Sequence, residues 1–221
     1  MVVPYRIVES PESHRRYQSA RRQQQARQTR ARILAAATGQ FLAAGYAGTT
    51  VKAVAAAAGV SVPTVEAAFG TKARLLKAAI DVATAGDDAP VPMLEREWAA
   101  RARVAPDPRG LVAEFAAVLT ASAERAAGLV LAALDAAPLD ADVGAVAAQM
   151  TAQREAMAAW LVDGLAARGS VRDGLGRAAA VDTVWLLMDP AVFTRLTGPR
   201  GWPAARFRVW FADAVLRLLA P

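Results

Sequence analysis

The fold is decided by the stretch TTVKAVAAAAGVSVPTVEAAFGTKARLL, residues 49–76. Thr50 is a good N-cap for a short helix, VKAVAAAA, which Gly59 can end with a left-handed turn. Ser61 is the N-cap of a second short helix that runs through Phe69. Small alanines on the first helix let the two helices cross closely. We therefore predict a helix-turn-helix at roughly residues 50–69.

The second short helix has an inward face and an outward face. Val65 and Phe69, together with Val60 before them, are spaced to fill the core that the two helices share. The outward positions are small or polar, which suits a recognition helix lying in the major groove of DNA. These positions are Val62, Pro63, Thr64, Glu66, Ala67 and Ala68.

Helical periodicity continues on both sides of this motif. A preceding helix that starts near Gln24 and ends at Gly45 carries one apolar stripe, formed by Ile33, Leu34, Ala37, Phe41 and Leu42. After the motif, Gly70 and Thr71 separate a fourth helix from it. We therefore predict an N-terminal three-helix head over residues 24–70 that contains the helix-turn-helix.

The rest of the chain is predicted to be helical as well. Turn-forming segments at residues 86–92 (GDDAPVP) and 106–108 (PDP) bracket a linker. Helical spacing returns at Leu111, and later helices are expected at about residues 140–167, 177–188 and 203–219. The sequence has neither strand alternation nor an internal repeat. The predicted fold class is all-α, with the head joined to a larger helical body over residues 71–221.

The positive charge is concentrated at the N-terminus. Residues 1–32 hold eight arginines and two glutamates, which accounts for the whole net charge of +6 and leaves the remainder balanced. We interpret residues 1–23 as a flexible basic arm. Such an arm suits attraction to a polyphosphate, although a solvated leader without a ligand would have the same composition.

Composition excludes several classes of function. The chain has no cysteine and one histidine, His14, so a metal site or a histidine-based catalytic site has almost nothing to be built from. No phosphate loop, dinucleotide motif, zinc-protease motif or nucleophile elbow occurs, and acid pairs such as Asp87 and Asp88 fit turns. We expect no enzyme activity, no cofactor and no metal. The sequence also shows no signal peptide and no membrane span, so we expect a cytoplasmic protein.

Residues 33–65, ILAAATGQFLAAGYAGTTVKAVAAAAGVSVPTV, resemble the DNA-binding head of the TetR family over about Arg27 to Ile80. The resemblance implies a double-stranded operator as partner. It also implies that Thr50 and Lys72 contact phosphate and that arginines before the first helix reach an adjacent groove. Positions commonly facing base edges or the sugar-phosphate surface are Val51, Val62, Pro63, Thr64 and Ala67, and the candidate arginines are Arg21, Arg22 and Arg27.

Glu66 departs from the family pattern, because most members have a phosphate-contacting tyrosine there. A carboxylate repels phosphate, yet it can accept a hydrogen bond from the N4 amino group of cytosine. Three explanations stay open: an altered operator, greater reliance on the arginine arm, or reduced DNA binding. We expect a regulator, usually a repressor in this family. The alternative is a TetR-like dimeric ligand-binding or protein-interaction module with weak or lost operator binding.

The resemblance also implies a body in which an effector binds between helices and in which the last two helices form a dimer interface. We expect an unknown small apolar effector and a homodimer. Large apolar residues are candidates for the effector site: Phe115, Met150, Met157, Trp160 and Trp185. The broad apolar stripes of the last two helices suggest packing against a second subunit, or simply closure of their own core. The interface candidates are Val181, Trp185, Phe207, Trp210, Phe211, Ala214 and Leu218.

Overall fold

A computed structural model describes residues 11–221, with side chains described from Arg21 onward. Within that range the chain forms ten α-helices and one 3₁₀ helix and contains no strand, which confirms the all-α prediction. The helices are α1 (Pro11–Gly48), α2 (Val51–Ala58), α3 (Val62–Phe69), α4 (Lys72–Ala85), the 3₁₀ helix (Met93–Glu95), α5 (Glu97–Val104), α6 (Pro108–Ala136), α7 (Ala141–Ala166), α8 (Arg177–Leu187), α9 (Pro190–Thr197) and α10 (Ala204–Leu219).

The first helix begins much earlier than the sequence suggested. α1 starts at Pro11 rather than near Gln24, so residues 11–23 of the expected arm belong to a helix. Proline suits the first turn of a helix, and the arginines, glutamines and alanines that follow are good helix formers. The first ten residues of the arm lie outside the described part of the chain. At the other end, Gly45 leaves helical geometry with φ 65°, where the sequence placed the helix end.

The helix-turn-helix forms as predicted. The Thr50 hydroxyl accepts a hydrogen bond from the backbone N–H of Ala53 at 3.1 Å, and Ser61 caps Thr64 in the same way at 3.3 Å. Gly59 takes the left-handed conformation at φ 64°, which lets the chain bend by 106° between α2 and α3. The caps and the glycine therefore determine the angle at which α3 is held.

The core of the head is not closed by the head alone. Its buried apolar residues come from α1, α2, α3 and α4, and also from α6 and α7. The contributions from the body are Leu129, Ala133, Ala136 and Val143. A Cβ atom built on Gly128 would lie 2.6 Å from a methyl group of Leu42, so the bare backbone of Gly128 lets α1 and α6 come together. The head thus docks on the C-terminal half of α6.

The body has a second apolar core around the N-terminal half of α6. Phe115 is fully buried there, as are Leu161 of α7 and Phe207 and Phe211 of α10. The segment expected to be a linker contains α5, whose Trp98, Ala99 and Ala102 are buried in this core. The interpretation of this segment as a linker was wrong, because α5 is short and its arginines hide the apolar spacing. α9, which follows Asp189, was also missed.

By length and hydropathy alone, α6 could cross a membrane, contrary to the expectation that no segment would pass that test. In the fold, α6 packs against α1, α4, α5, α7, α9 and α10. The apolar character of α6 is therefore that of a central core helix.

A partly buried hydrogen bond joins head and body. The Tyr46 hydroxyl donates to Asp140 Oδ2 at 2.9 Å, and Asp140 Oδ1 accepts from the backbone N–H groups of Asp142 and Val143 at the start of α7. Burial raises the pKa of Tyr46 above its usual value, and the hydrogen bond to Asp140 acts in the same direction. The same bond, followed by the backbone N–H of Val143, lowers the pKa of Asp140. Tyr46 therefore stays protonated and Asp140 stays ionised at neutral pH.

We predict that Tyr46→Phe lowers the free energy of unfolding by about 1 kcal/mol, because it removes one partly buried hydrogen bond and leaves the ring in place. Urea denaturation at pH 7 measures this change. Asp140→Asn leaves one carbonyl oxygen for both the Tyr46 proton and the N–H groups of α7, so it should cost at least as much as Tyr46→Phe. An unchanged midpoint for Tyr46→Phe would contradict a stabilising role for this bond.

Candidate nucleic-acid interface and ligand cavity

The outward face of α3 is built as expected. Val65 and Phe69 are buried under the helix, while Pro63, Glu66, Ala67 and Ala68 are exposed and Val62 and Thr64 are half-buried. The Thr64 hydroxyl lies 2.8 Å from the Ser61 hydroxyl, which leaves the first turn of α3 polar. The structure thus brings the candidate contact residues of α3 onto one accessible surface.

In the helix-turn-helix, the start of α2 is the second candidate DNA-contacting element, after the exposed face of α3. Thr50 is exposed, Val51 is half-buried, and no acidic residue lies in the first turn of α2. The N–H groups that begin a helix carry a partial positive charge and attract phosphate. The Thr50 hydroxyl oxygen accepts the cap bond from Ala53, so its own proton is free to donate to an anion beside the backbone N–H groups of α2.

Lys72 does not extend from the reading surface. Its Nζ donates to the carbonyl oxygens of Tyr46 at 2.9 Å and Thr49 at 3.1 Å, and it lies 4.0 Å from the centre of the Tyr46 ring. The resemblance implied a phosphate contact for Lys72, and that contact stays a prediction. Two of the three N–H donors of Lys72 stabilise the junction between α1 and α2, because the carbonyl groups at the end of a helix attract cations.

Glu66 lies in the middle of the exposed face of α3. It forms no ion pair with any residue whose side chain is described, so its charge is not neutralised by a neighbour in the head. Arg21, Arg22 and Arg27 are exposed on the first half of α1. In the described part of the chain, these three arginines are therefore carried on a helix.

A cavity of about 710 Å³ lies between α4, the segment after α4, α6 and α7. Met150 and Met157 line it as expected, whereas Phe115, Trp160 and Trp185 do not. Phe115 is fully buried in the aromatic core, Trp160 packs on Trp98 with ring centres 5.4 Å apart, and Trp185 lies under Arg154 at 3.9 Å. The expectation for these three was wrong, because large aromatic rings fill the core in preference to a cavity wall.

The wall of the cavity is mostly apolar, and several charged residues on it are paired. Lys77 pairs with Asp81 at 2.6 Å, Arg96 with Asp87 at 2.7 Å, and Arg154 with Asp189 at 2.8 Å. The hydrogen bonds from Arg96 lower the pKa of Asp87 to about 2. Apolar side chains on the wall come from every neighbouring element: Ile80, Val82, Val91, Leu94, Val118, Leu119, Val130, Leu134, Met150, Met157 and Met188.

The proposed dimer surface is smaller than the sequence suggested. Val181, Phe207 and Phe211 are buried within the chain itself, so they are not available to a second subunit. Trp185, Trp210 and Ala214 remain half-buried, and Leu218 is 43% exposed. Leu186 on α8 and Val209 on α10 add exposed apolar surface that the sequence analysis did not single out.

These features define a helix-turn-helix DNA-binding protein: capped α2 and α3 on a buried core, an exposed face on α3, and an all-helical body behind them. The family model of bacterial regulatory proteins of the tetR family matches residues 33–79, which include this whole motif. Residues 33–79 therefore form a DNA-binding domain of the TetR family, and with this domain the chain is a DNA-binding transcriptional regulator.

Solved structures share the fold over most of this chain. NalD of Pseudomonas aeruginosa, the secondary repressor of the MexAB-OprM multidrug efflux pump, is 18% identical, with a TM-score of 0.67, 88% of this chain and 98% of that chain covered. FadR of Bacillus subtilis, in complex with stearoyl-CoA, is 15% identical, with a TM-score of 0.65 and coverages of 84% and 96%. A transcriptional regulator of Saccharomonospora viridis, in complex with choline, is 17% identical, with a TM-score of 0.64 and coverages of 87% and 97%. No curated protein matches the chain in sequence.

Some residues at these sites had no clear signal in the sequence. The segment between α4 and α5 contributes Val91, Met93 and Leu94 to the cavity wall, although its prolines and aspartates read as a turn. Arg30 of α1 contacts the end of α3, 38 residues later in the chain. Helical spacing on α1 shows which of its residues face inward, but it does not show which later helix lies beside them.

We predict that Lys72→Met lowers the free energy of unfolding by about 1 to 2 kcal/mol, because two backbone carbonyls lose a charged donor. The matched control is Lys52→Met, which removes an exposed lysine of α2 and should change stability by less than about 0.5 kcal/mol. Thermal and urea denaturation measure both. Equal stability of the two variants would show that the hydrogen bonds of Lys72 to the two carbonyl groups do not stabilise the head.

Proposed function

We propose that the protein is a repressor that a small ligand releases from its operator. The observation that carries the proposal is the position of α4. Its Leu75, Leu76 and Ala79 are buried in the core of the head, while Lys77, Ala78 and Asp81 line the cavity. A ligand that displaces α4 therefore displaces the head, and DNA release requires only that the ligand binds the displaced state more tightly.

We infer that the ligand is small and mostly apolar. The wall is apolar, and three of its four cations already have carboxylate partners, so Arg30 is the cation on it that an anionic group of the ligand could meet. The regulators from Bacillus subtilis and Saccharomonospora viridis were crystallised with stearoyl-CoA and choline, which shows that this fold accommodates very different ligands. The chemistry of the wall, rather than the fold, supports the proposed ligand class.

We further propose that the regulator acts as a homodimer in the cytoplasm. Trp210 and Ala214 are half-buried and Leu218 is exposed at four-residue steps on one face of α10, and Leu186 is exposed on the neighbouring α8. Apolar side chains left accessible on one face of a helix are typical of a surface that another subunit covers. A dimer would present two α3 helices to the two half-sites of a palindromic operator.

Operator binding tests the main proposal. Fluorescence titration should show tighter binding to a duplex from upstream of its own gene than to a random duplex. The slope of log affinity against log salt should be about −0.9 per phosphate neutralised, and it should become shallower when residues 1–26 are removed. Equal affinity for both duplexes would support the alternative, a ligand-binding module of this fold without operator affinity. An unchanged slope would exclude the arginines of the arm from the interface.

Glu66→Tyr should strengthen binding to random duplex about fivefold, because it removes a repulsive charge and adds a phosphate donor. Glu124→Tyr, on the exposed side of α6, is the matched control and should change nothing. Loss of operator binding with retained binding to random duplex would show that Glu66 reads a base. Weaker binding of Glu66→Tyr to both duplexes would show that the Glu66 carboxylate does not repel the DNA phosphates.

The dimer can be tested with Leu218→Asp, which places a charge on an exposed apolar position of α10. Sedimentation velocity should show a shift from dimer to monomer, while circular dichroism keeps its helical signal. Val104→Asp is the control, because Val104 is 81% exposed on α5, away from α8 and α10. If the Leu218→Asp protein stays dimeric, the dimer interface does not include Leu218.

A further inference from the structure

Arg30 of α1 contacts both the recognition helix α3 and the cavity, which the proposed function requires to be coupled. Its Nη1 donates to the carbonyl oxygen of Ala68 at 3.3 Å, and its guanidinium lies 4.3 Å from the centre of the Phe69 ring. Both contacts are with the last turn of α3. The same side chain also lines the cavity.

The contact with α3 matters because α3 has few other attachments. It is eight residues long, buries only Val65 and Phe69, and has no basic residue in its last turn. So short a helix is not stable on its own, and its orientation depends on the contacts around it. Arg30 supplies, from another helix, the positive group that a helix C-terminus favours, and it stacks on one of the two buried side chains.

The contact with the cavity is equally direct. Arg30 lies on the wall with Lys77 and Asp81, and Asp81 is already paired with Lys77 at 2.6 Å. Among the residues whose side chains are described, no carboxylate forms an ion pair with Arg30. The guanidinium is therefore held by α3, and a molecule that enters the cavity beside α1 would meet the Arg30 side chain.

We propose that Arg30 is a positioning residue that holds α3 in its reading orientation and transmits occupation of the cavity to α3. An occupant that displaces the guanidinium breaks the bond to Ala68 and the stacking on Phe69, so the last turn of α3 loses its support. The first half of this proposal concerns operator binding alone. The second half rests on the proposed function of the cavity.

The first half is tested by Arg30→Met, which keeps an unbranched apolar chain and removes the guanidinium. Affinity for the upstream duplex should fall about tenfold, affinity for random duplex should fall less than about twofold, and the salt slope should not change. Arg30→Lys keeps the charge and should recover part of the loss. Arg27→Met is the comparison, because an arginine that contacts phosphate lowers both affinities alike and makes the slope shallower by about 0.9. The same behaviour in Arg30→Met would make Arg30 a phosphate contact and overturn the proposal.

The second half is tested by filling the cavity beside Arg30. Ala78 is half-buried on the wall next to Lys77, so Ala78→Trp places an indole at this end of the cavity. It should lower operator affinity about tenfold in the wild-type background and less than about twofold in the Arg30→Met background. Ala156→Trp is the control, because Ala156 lines the cavity from α7 rather than from α4. Any loss of operator affinity that it causes should be the same with and without Arg30. Ala78→Phe provides the same comparison if the indole prevents folding.

Equal losses for Ala78→Trp with and without Arg30, or no loss in either background, would show that the cavity does not act through Arg30. These outcomes are separable from failure of the proposed function. A wild-type protein that binds its upstream duplex no tighter than random duplex contradicts the proposed function. Tight and specific binding that Arg30→Met leaves intact contradicts the positioning role alone.

Discussion

The whole structure depends on the packing of α6 into two apolar cores. Its N-terminal half places Leu111 and Phe115 in the core of the body, and its C-terminal half places Leu129 and Ala133 in the core of the head. Protein cores are close-packed and do not deform freely, so a rigid helix shared by two cores couples their positions. The head is consequently a part of the fold that cannot be reoriented without a response from the body.

The parts of the fold that local chemistry determines were predictable from the sequence. Thr50, Gly59 and Ser61 act within a few residues of their own position, so caps and turns showed where α2 and α3 begin and end. The stripe on α1 likewise identified Ile33 and Phe41 as core residues. Short elements whose apolar residues are interleaved with arginine or follow a proline, such as α5 and α9, were not predictable because their stability comes from the body that covers them.

The candidate site was predictable in its scaffold and less so in its chemistry. The sequence places the exposed residues of α3 on one face, since helical spacing alone does that. It does not show that Lys72 turns back to two carbonyl groups, or that Phe115 is in the core while Val118 lines the cavity. Such differences arise from neighbours that are distant in sequence. They also show why an aromatic residue in an apolar stripe is a poor guide to a ligand site.

The close approach at Gly128 also bears on the geometry of DNA reading. Because Gly128 has no side chain, a methyl group of Leu42 of α1 rests directly against the backbone of α6. In a symmetric dimer, any change in this distance is repeated on both sides of the axis and alters the separation of the two reading helices. A side chain at position 128 would have to displace Leu42 or move α1, so this contact with the body bears on where the head lies.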